Sequence, residues 1–306
     1  MTAHHEIHRP PVHLDWMGRT ADIEHLRIDE LILPGTHNSG SDKQSPNLGL
    51  PQELAQDVSP LEQLRNGIRV LDLRVALYDS YPEGSPERFQ LYHFTSSGRT
   101  VAVDIVECLR KFYAELESKG ATAREIVILD FHQFHGFDEQ SHAQLQALLL
   151  NELGPRVLSY DLRHLTLEQL WNWHPGRNVV IAYNHRGADE MWDGVSQRWP
   201  GENLFNTNVL KTFVDKVAQE PKLDHDLHAV QCAKYSLPFH APTDLSAKID
   251  EWFESIDQDS YIQNFYIINT DWSLRSAIVD NCQHANQIRG ARKLTHPHQH
   301  LQPKRR

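Results

Sequence analysis

No run of apolar residues in this 306-residue chain approaches the ~20 that a membrane-spanning helix needs. The N-terminus, Met1 to Pro10, has no apolar core of the kind a secretory signal carries. Neither GxGxxG nor GxxxxGK[ST] occurs, which removes the usual glycine-rich cradles for dinucleotides and nucleoside triphosphates. Cysteine is scarce: Cys108, Cys232 and Cys282 are dispersed, odd in number and without metal-binding spacing. They read as reduced thiols in a cytosolic-type chain, so the expected location is the cytoplasm or beyond it by a non-classical route. Basic charge is also short, with 30 Lys and Arg against 41 Asp and Glu and a formal net charge of -11. That argues against nucleic acid as a partner, and against steady adsorption to anionic lipid unless a local patch overrides the total.

What is present is ordinary in bulk. The 40% hydrophobic and 23% charged content suits a globular protein, and the length fits one barrel without forcing a boundary. Much of the histidine excess lies at the ends, in His4, His5, His8, His13, His296, His298 and His300. We expect a flexible segment over 1–20, one catalytic barrel over 21–290, and a disordered, basic, His-rich tail over 291–306.

Strands and helices alternate along the chain. Apolar runs bounded by Gly, Pro or polar residues predict strands at Leu31–Leu33, Ile68–Leu77, Phe89–Phe94, Glu125–His132, Asn178–Asn184, Leu227–Ala233 and Asn264–Trp272, with a short one possible at Asn203–Asn208. Helical spacing predicts helices at Pro60–Asn66, Val101–Lys119, Ser141–Leu153, Leu165–Trp173, Val209–Gln219, Leu245–Ile256 and Ser276–Ile288, the last ended by Gly290. The fold class is therefore α/β, a single distorted TIM-type (β/α) barrel. A doubly wound open sheet is the alternative, disfavoured by the missing phosphate loop.

Polar residues of catalytic type recur at the ends of these strands: His37, Asp72 with Arg74, His93, Asp130 with His132, and Asp271. Strand ends of a barrel converge on one mouth. Together they describe two histidines, a guanidinium and several carboxylates, a set suited to general acid–base chemistry on a phosphodiester. The bland alternatives are a hydrogen-bonded loop histidine at His37 and a surface ion pair at Asp72 and Arg74.

Three segments sharpen this. Leu33-Pro34-Gly35-Thr36-His37-Asn38-Ser39, Gly67-Ile68-Arg69-Val70-Leu71-Asp72-Leu73-Arg74 and Leu91-Tyr92-His93 resemble the X-box region of phosphatidylinositol-specific phospholipases C. The likeness is to the bacterial enzymes and to the small X-domain-containing proteins. It implies a distorted barrel that cleaves phosphatidylinositol to diacylglycerol and inositol 1,2-cyclic phosphate. By the same resemblance His37 is the general base, His93 the general acid, Arg74 the phosphate-stabilising cation, Asp72 a supporting carboxylate and Asp271 the carboxylate that orients the base. Asn38, His132, Tyr183 and Asn184 are candidate substrate contacts, and Asp130 is structural.

Asn38 departs from the bacterial pattern, where Asp follows the base, and matches calcium-dependent members, where Asn is a metal ligand. Arg74 argues against calcium, since a fixed cation stands where those members hold an acidic ligand. The expectation is no metal and no cofactor. The expected partner is a phospholipid at a membrane surface, met transiently by a monomer. The alternatives are a phosphoinositide- or partner-binding barrel with a silent site, and a metal-dependent glycerophosphodiesterase- or sphingomyelinase-D-like barrel.

Overall fold

The computed structural model describes residues 13–47, 49–120, 124–201, 206–234 and 240–295. The strands are β1 (Leu33–Thr36), β2 (Val70–Leu77), β3 (Phe89–His93), β4 (Thr95–Thr100), β5 (Val127–His135), β6 (Val179–Tyr183), β7 (Trp192–Asp193), β8 (Ser196–Arg198), β9 (His228–Cys232) and β10 (Ile267–Thr270). The helices are α1 (Trp16–Arg19), α2 (Pro60–Arg65), α3 (Cys108–Ser118), α4 (Glu139–Leu153), α5 (Leu167–Trp173), α6 (Thr207–Val217), α7 (Ser246–Trp252) and α8 (Ile278–Thr295).

The strands curl into one parallel sheet in the order β7-β6-β5-β2-β1-β10-β9-β8, with β3 and β4 attached to β2 as an antiparallel hairpin. This is a distorted TIM-type barrel. It stays open between β7 and β8, which are not paired with each other among the described residues. The reason is the connection. Parallel neighbours need a crossover of a dozen or more residues, and only Gly194 and Val195 separate these two strands.

The main apolar core lies between sheet and helices. All five residues of β6 are buried, and α3 turns Leu109, Phe112, Tyr113 and Leu116 onto the sheet. Of the segment expected to be flexible, Leu14, Trp16 and Met17 are part of this core. Trp16 and Met17 are fully buried, and Trp16 Nε1 donates to the Gly67 carbonyl at 2.9 Å. Beside them Arg69 and Glu125 form a fully buried ion pair at 2.6 Å. Glu125 also accepts from the amides of Met17 and Gly18, and Arg69 donates to the carbonyls of Leu14, Leu64 and Ile68. Such a pair is tolerable in a core because its hydrogen-bonding capacity is met. Residues 1–12 and 296–306, including all the terminal histidines except His13, lie outside the described residues.

Several local expectations are corrected. β1 is displaced toward Thr36 and contains Pro34 and Gly35. Pro34 is admissible because the ladder with β2 begins only at Gly35–Val70. Gly35 is required for space: a Cβ there would fall 1.9 Å from Asn269 Oδ1. Thr95–Thr100 is strand β4, which no apolar run announces, and β7 and β8 are too short to register as apolar runs. Of the strand expected at Asn203–Asn208, residues 203–205 lie outside the described residues, while Asn206 caps α6 and Thr207 begins it. The helix expected at Val101 starts as a π-helical stretch, Val101–Glu107, that runs into α3. Helix α8 passes through Gly290 and continues to Thr295. Gly290 marks a close approach, since a Cβ there would sit 2.0 Å from the Asp22 carbonyl oxygen.

Candidate active site

His37 follows β1 directly, and its amide donates to the Thr270 carbonyl at 3.0 Å, so the backbone is fixed by the sheet. The Gln56 side chain, an anchor with no sequence signal, donates to the carbonyls of both His37 and Thr270 at 2.9 Å. The imidazole is fully buried. Its Nδ1 lies 2.8 Å from Asp271 Oδ1. On the other side the Asn38 amide, Nδ2, approaches Nε2 at 3.1 Å and Arg74 Nη2 approaches it at 3.4 Å. Amide and guanidinium nitrogens only donate, so Nε2 carries the lone pair and Nδ1–H points to the carboxylate. That is the tautomer a general base needs, with its basic nitrogen turned to the guanidinium.

Asn38 holds φ +45°, a left-handed conformation that Asn tolerates better than most residues. The turn it makes sends Ser39 N to the Asp72 carbonyl at 3.0 Å and couples the base loop to β2. In β2 the register with β5 shifts between Leu73 and Arg74. Such a bulge re-aims the following side chain, and here it accompanies the reach of Arg74 to His37. Burial pushes the Asp271 carboxyl above its ordinary value, against the opposing attraction of His37.

His93 ends β3, 3% exposed, its ring centroid 6.2 Å from that of His37. Its Nδ1 lies 3.0 Å from the Glu53 carbonyl, so Nδ1 carries the hydrogen and Nε2 the lone pair in the neutral ring. Burial, and then the positive charge of Arg74, push His93 down to about 3. The ring is therefore neutral near pH 7 in the unliganded protein. Trp199, just after β8, lies over His37 with ring centroids 5.3 Å apart and planes 33° apart.

Asp72, Asp130 and His132 share the interior of the barrel. His132 Nδ1 is 2.7 Å from Asp72 Oδ1, an ion pair by distance whose angles are poor for a hydrogen bond. Burial opposes both charges, yet His132 holds the Asp72 carboxyl below its usual range and Asp72 holds His132 above its own. Gln231 Nε2 donates to Asp72 at 3.3 Å and to Gln197 Oε1 at 2.9 Å, and Gln197 Nε2 donates to Asp130 at 2.5 Å. Burial pushes Asp130 up to about 7.

Tyr183 and Asn184 are not brought to this group. Tyr183 pairs in register with Phe131 and turns to the helix layer, where its hydroxyl bonds to His142 at 3.0 Å. Asn184 is exposed and donates to the backbone carbonyl of His132 at 3.0 Å.

No protein-family model matches the chain. Among curated proteins it is 28% identical over 230 residues to human PI-PLC X domain-containing protein 1, covering 66% of this chain and 67% of that one. It is 24% identical over 244 residues to human PI-PLC X domain-containing protein 2, covering 71% and 76% respectively. In sequence the chain is thus similar to PI-PLC X domain-containing proteins. The matches span about two thirds of the first of these proteins and about three quarters of the second. Among solved structures, the phosphatidylinositol-specific phospholipase C of Listeria monocytogenes superposes with a TM-score of 0.64 at 16% identity, covering 89% of this chain and 98% of that one. A mutant of the Staphylococcus aureus enzyme gives 0.62 at 12% identity, covering 90% and 98%. At these identities the superpositions speak for the fold.

Among the described residues, two clusters could hold a cation: Asp72, Asp130 and His132, and at another place Asp29, Asp224 and His225. Calcium takes six to eight oxygen ligands. The first cluster supplies two carboxylates and an imidazole, and that imidazole is already the cationic partner of Asp72. In the second, Asp29 is claimed by Arg27 at 2.9 Å and Lys222 at 2.8 Å. Neither donor set fits calcium. Glu53, Gln56, Gln197 and Gln231 escaped sequence reading because each lies in a loop or a very short strand, or looks like an ordinary polar residue in an apolar run.

Proposed function

We propose that this protein is a phosphodiesterase of the phospholipase C type that acts on phosphatidylinositol without a metal ion. Its products would be diacylglycerol and inositol 1,2-cyclic phosphate. The observation that carries the reading is the pairing of two differently held histidines 6.2 Å apart with a guanidinium at the base nitrogen of one of them. A pure binding protein has no need of both.

In this reading Arg74 leaves His37 to bind the phosphate oxygens, where a guanidinium stabilises the charge that builds on them. His37 Nε2 takes the proton of the inositol 2-hydroxyl. Its oxygen bonds to phosphorus as the bond to the glycerol oxygen breaks. His93 Nε2 delivers a proton to that oxygen, and diacylglycerol leaves neutral. Asp271 stabilises the imidazolium formed on His37. His93 must first be protonated. An anionic phosphodiester supplies the condition, because it engages Arg74 and places a negative charge near the ring, so the substrate would bind together with a proton. Asp72, paired with His132, keeps the Asn38 turn and the interior of the barrel in place.

The test is turnover of phosphatidylinositol vesicles by the purified protein. The wild type is expected to release inositol cyclic phosphate, and His37→Ala to release none above background. No turnover of any inositol phospholipid by the wild type would favour a binding protein instead.

A further inference from the structure

The carboxylate of Asp271 does not aim itself. Its Oδ1 bonds to His37, and its Oδ2 has no hydrogen-bond partner among the described residues. The spacing of base and carboxylate is therefore set by the backbone that carries them, at His37 and over 270–273. That second stretch is strained. Trp272, the residue after Asp271, has φ +51°, where a bulky side chain is an outlier. Such a conformation persists only where its surroundings impose it.

What imposes it is a segment far back in the chain. Ala55, Gln56 and Asp57 each take hold of the stretch. The Trp272 amide donates to the Ala55 carbonyl at 2.8 Å. The Ser273 amide donates to Gln56 Oε1 at 3.2 Å, while Gln56 Nε2 donates to the carbonyls of Thr270 and His37. Asp57 accepts from Arg275 Nε and Nη2, both at 2.6 Å, and that guanidinium lies 4.5 Å from the centre of the Trp272 ring. The same segment grips the loop that follows His37. The amides of Ala55 and Gln56 donate to the Ser41 carbonyl at 2.8 and 3.2 Å, and the Lys43 amide donates to the Gln56 carbonyl at 3.1 Å. Lys43 Nζ pairs with Asp57 at 2.8 Å. Gln56 is the centre of this splint and is 2% exposed.

We infer that Gln56 is a positioning residue that holds His37 and Asp271 at bonding distance, with Ala55 and Asp57 as its flanks. A side chain that bonds to both loops at once fixes their separation. Its polar atoms are engaged by backbone and it is enclosed, so it acts through the pair. The catalytic consequence rests on the proposed phospholipase reading, so the first measurement needs no turnover.

That measurement is proton NMR of the full chain. The hydrogen between His37 Nδ1 and Asp271 gives a resonance downfield of the backbone amides, assigned by its loss in His37→Ala. Gln56→Met keeps the shape of the side chain and removes its hydrogen bonds, and should move that resonance upfield or broaden it away. Asn286→Leu is the control. Asn286 is also a fully buried amide bonded to backbone, to Ile32 N, Ile32 O and Cys282 O, but Ile32 precedes β1 where His37 follows it. Both variants lose the bonds of a buried amide and should melt below wild type, yet only Gln56→Met should alter the resonance. Asp57→Asn loosens the half-exposed clamp alone and should shift the resonance the same way by less, since such ion pairs contribute little. On phosphatidylinositol, Gln56→Met should lower kcat about a hundredfold, the order for a misplaced catalytic group, with KM within about twofold. The inference is overturned by a Gln56→Met protein whose resonance stays at the wild-type position or, should that variant not fold, by an unmoved resonance in Asp57→Asn. It is equally overturned if Asn286→Leu displaces the resonance as far as Gln56→Met does. A resonance displaced in Gln56→Met alone, in a protein that turns over no inositol phospholipid, would sink the phospholipase reading and leave the positioning of the pair standing.

Discussion

Asp271→Asn isolates one role, because it removes a charge and almost no volume. Asp271 Oδ1 is 2.8 Å from His37 Nδ1, with the histidine fully buried and the aspartate 6% exposed. Asn can present its oxygen, which keeps the tautomer but loses the negative charge and places an amide N–H₂ where Asp271 Oδ2 has no hydrogen-bond partner. It can instead present its nitrogen, which forces the proton onto Nε2, against the donors Asn38 Nδ2 and Arg74 Nη2. Either choice disfavours proton transfer to His37. With the charges about 4 Å apart and an effective dielectric of about 20, the lost attraction for the imidazolium is about 4 kcal/mol. At about 1.4 kcal/mol per decade that is close to a thousandfold in kcat. The assay is the initial rate of inositol cyclic phosphate release, with thermal melting to show the fold intact. A variant within tenfold of wild type would refute the assignment of Asp271 as the residue that supports the base.

Two further outcomes follow from the site. His93→Ala should lose about 10²- to 10⁴-fold on phosphatidylinositol, the usual range for a missing general acid. It should lose far less on an inositol phosphodiester with a nitrophenol leaving group, which departs unprotonated; equal losses on both would remove His93 from that role. Asp130, pushed up to about 7 by burial, holds its proton more tightly folded than unfolded. Its stabilising share is therefore fully present below about pH 4 and lost as pH rises through about 7. Asp130→Asn keeps an acceptor for Gln197 and removes the charge, so in urea titrations it should gain on the order of 2 kcal/mol over wild type at pH 8 and nothing at pH 4. A loss at pH 8 would show that the ionised Asp130 is needed.

The barrel was legible because its long strands are buried on both faces and read as apolar runs, as at Val179–Tyr183 and Val127–Phe131. The strand-end histidines were legible for the same reason: each follows such a run. What escaped notice lacks periodicity. β7 and β8 are two and three residues long, and β4 is too polar to signal a strand. Trp199 and Gln197 therefore had no strand to place them. Tyr183 misled because it ends a strand, and the end of a strand does not say which face a side chain takes. Its register partner Phe131 does. Gly290 misled because glycine both ends helices and permits close contact, and only the Asp22 carbonyl above it decides between them. Trp272 offered no warning either, since sequence does not reveal a positive φ at an aromatic residue.

The central claim is metal-free cleavage by two histidines, and phosphorus NMR of the products tests it most directly. Purified protein incubated with phosphatidylinositol and excess chelator should give the resonance of inositol 1,2-cyclic phosphate at the rate seen without chelator. Loss of that resonance in chelator and its return with calcium would contradict the account, and would turn Asp72, Asp130 and His132 from a supporting network into candidate metal ligands.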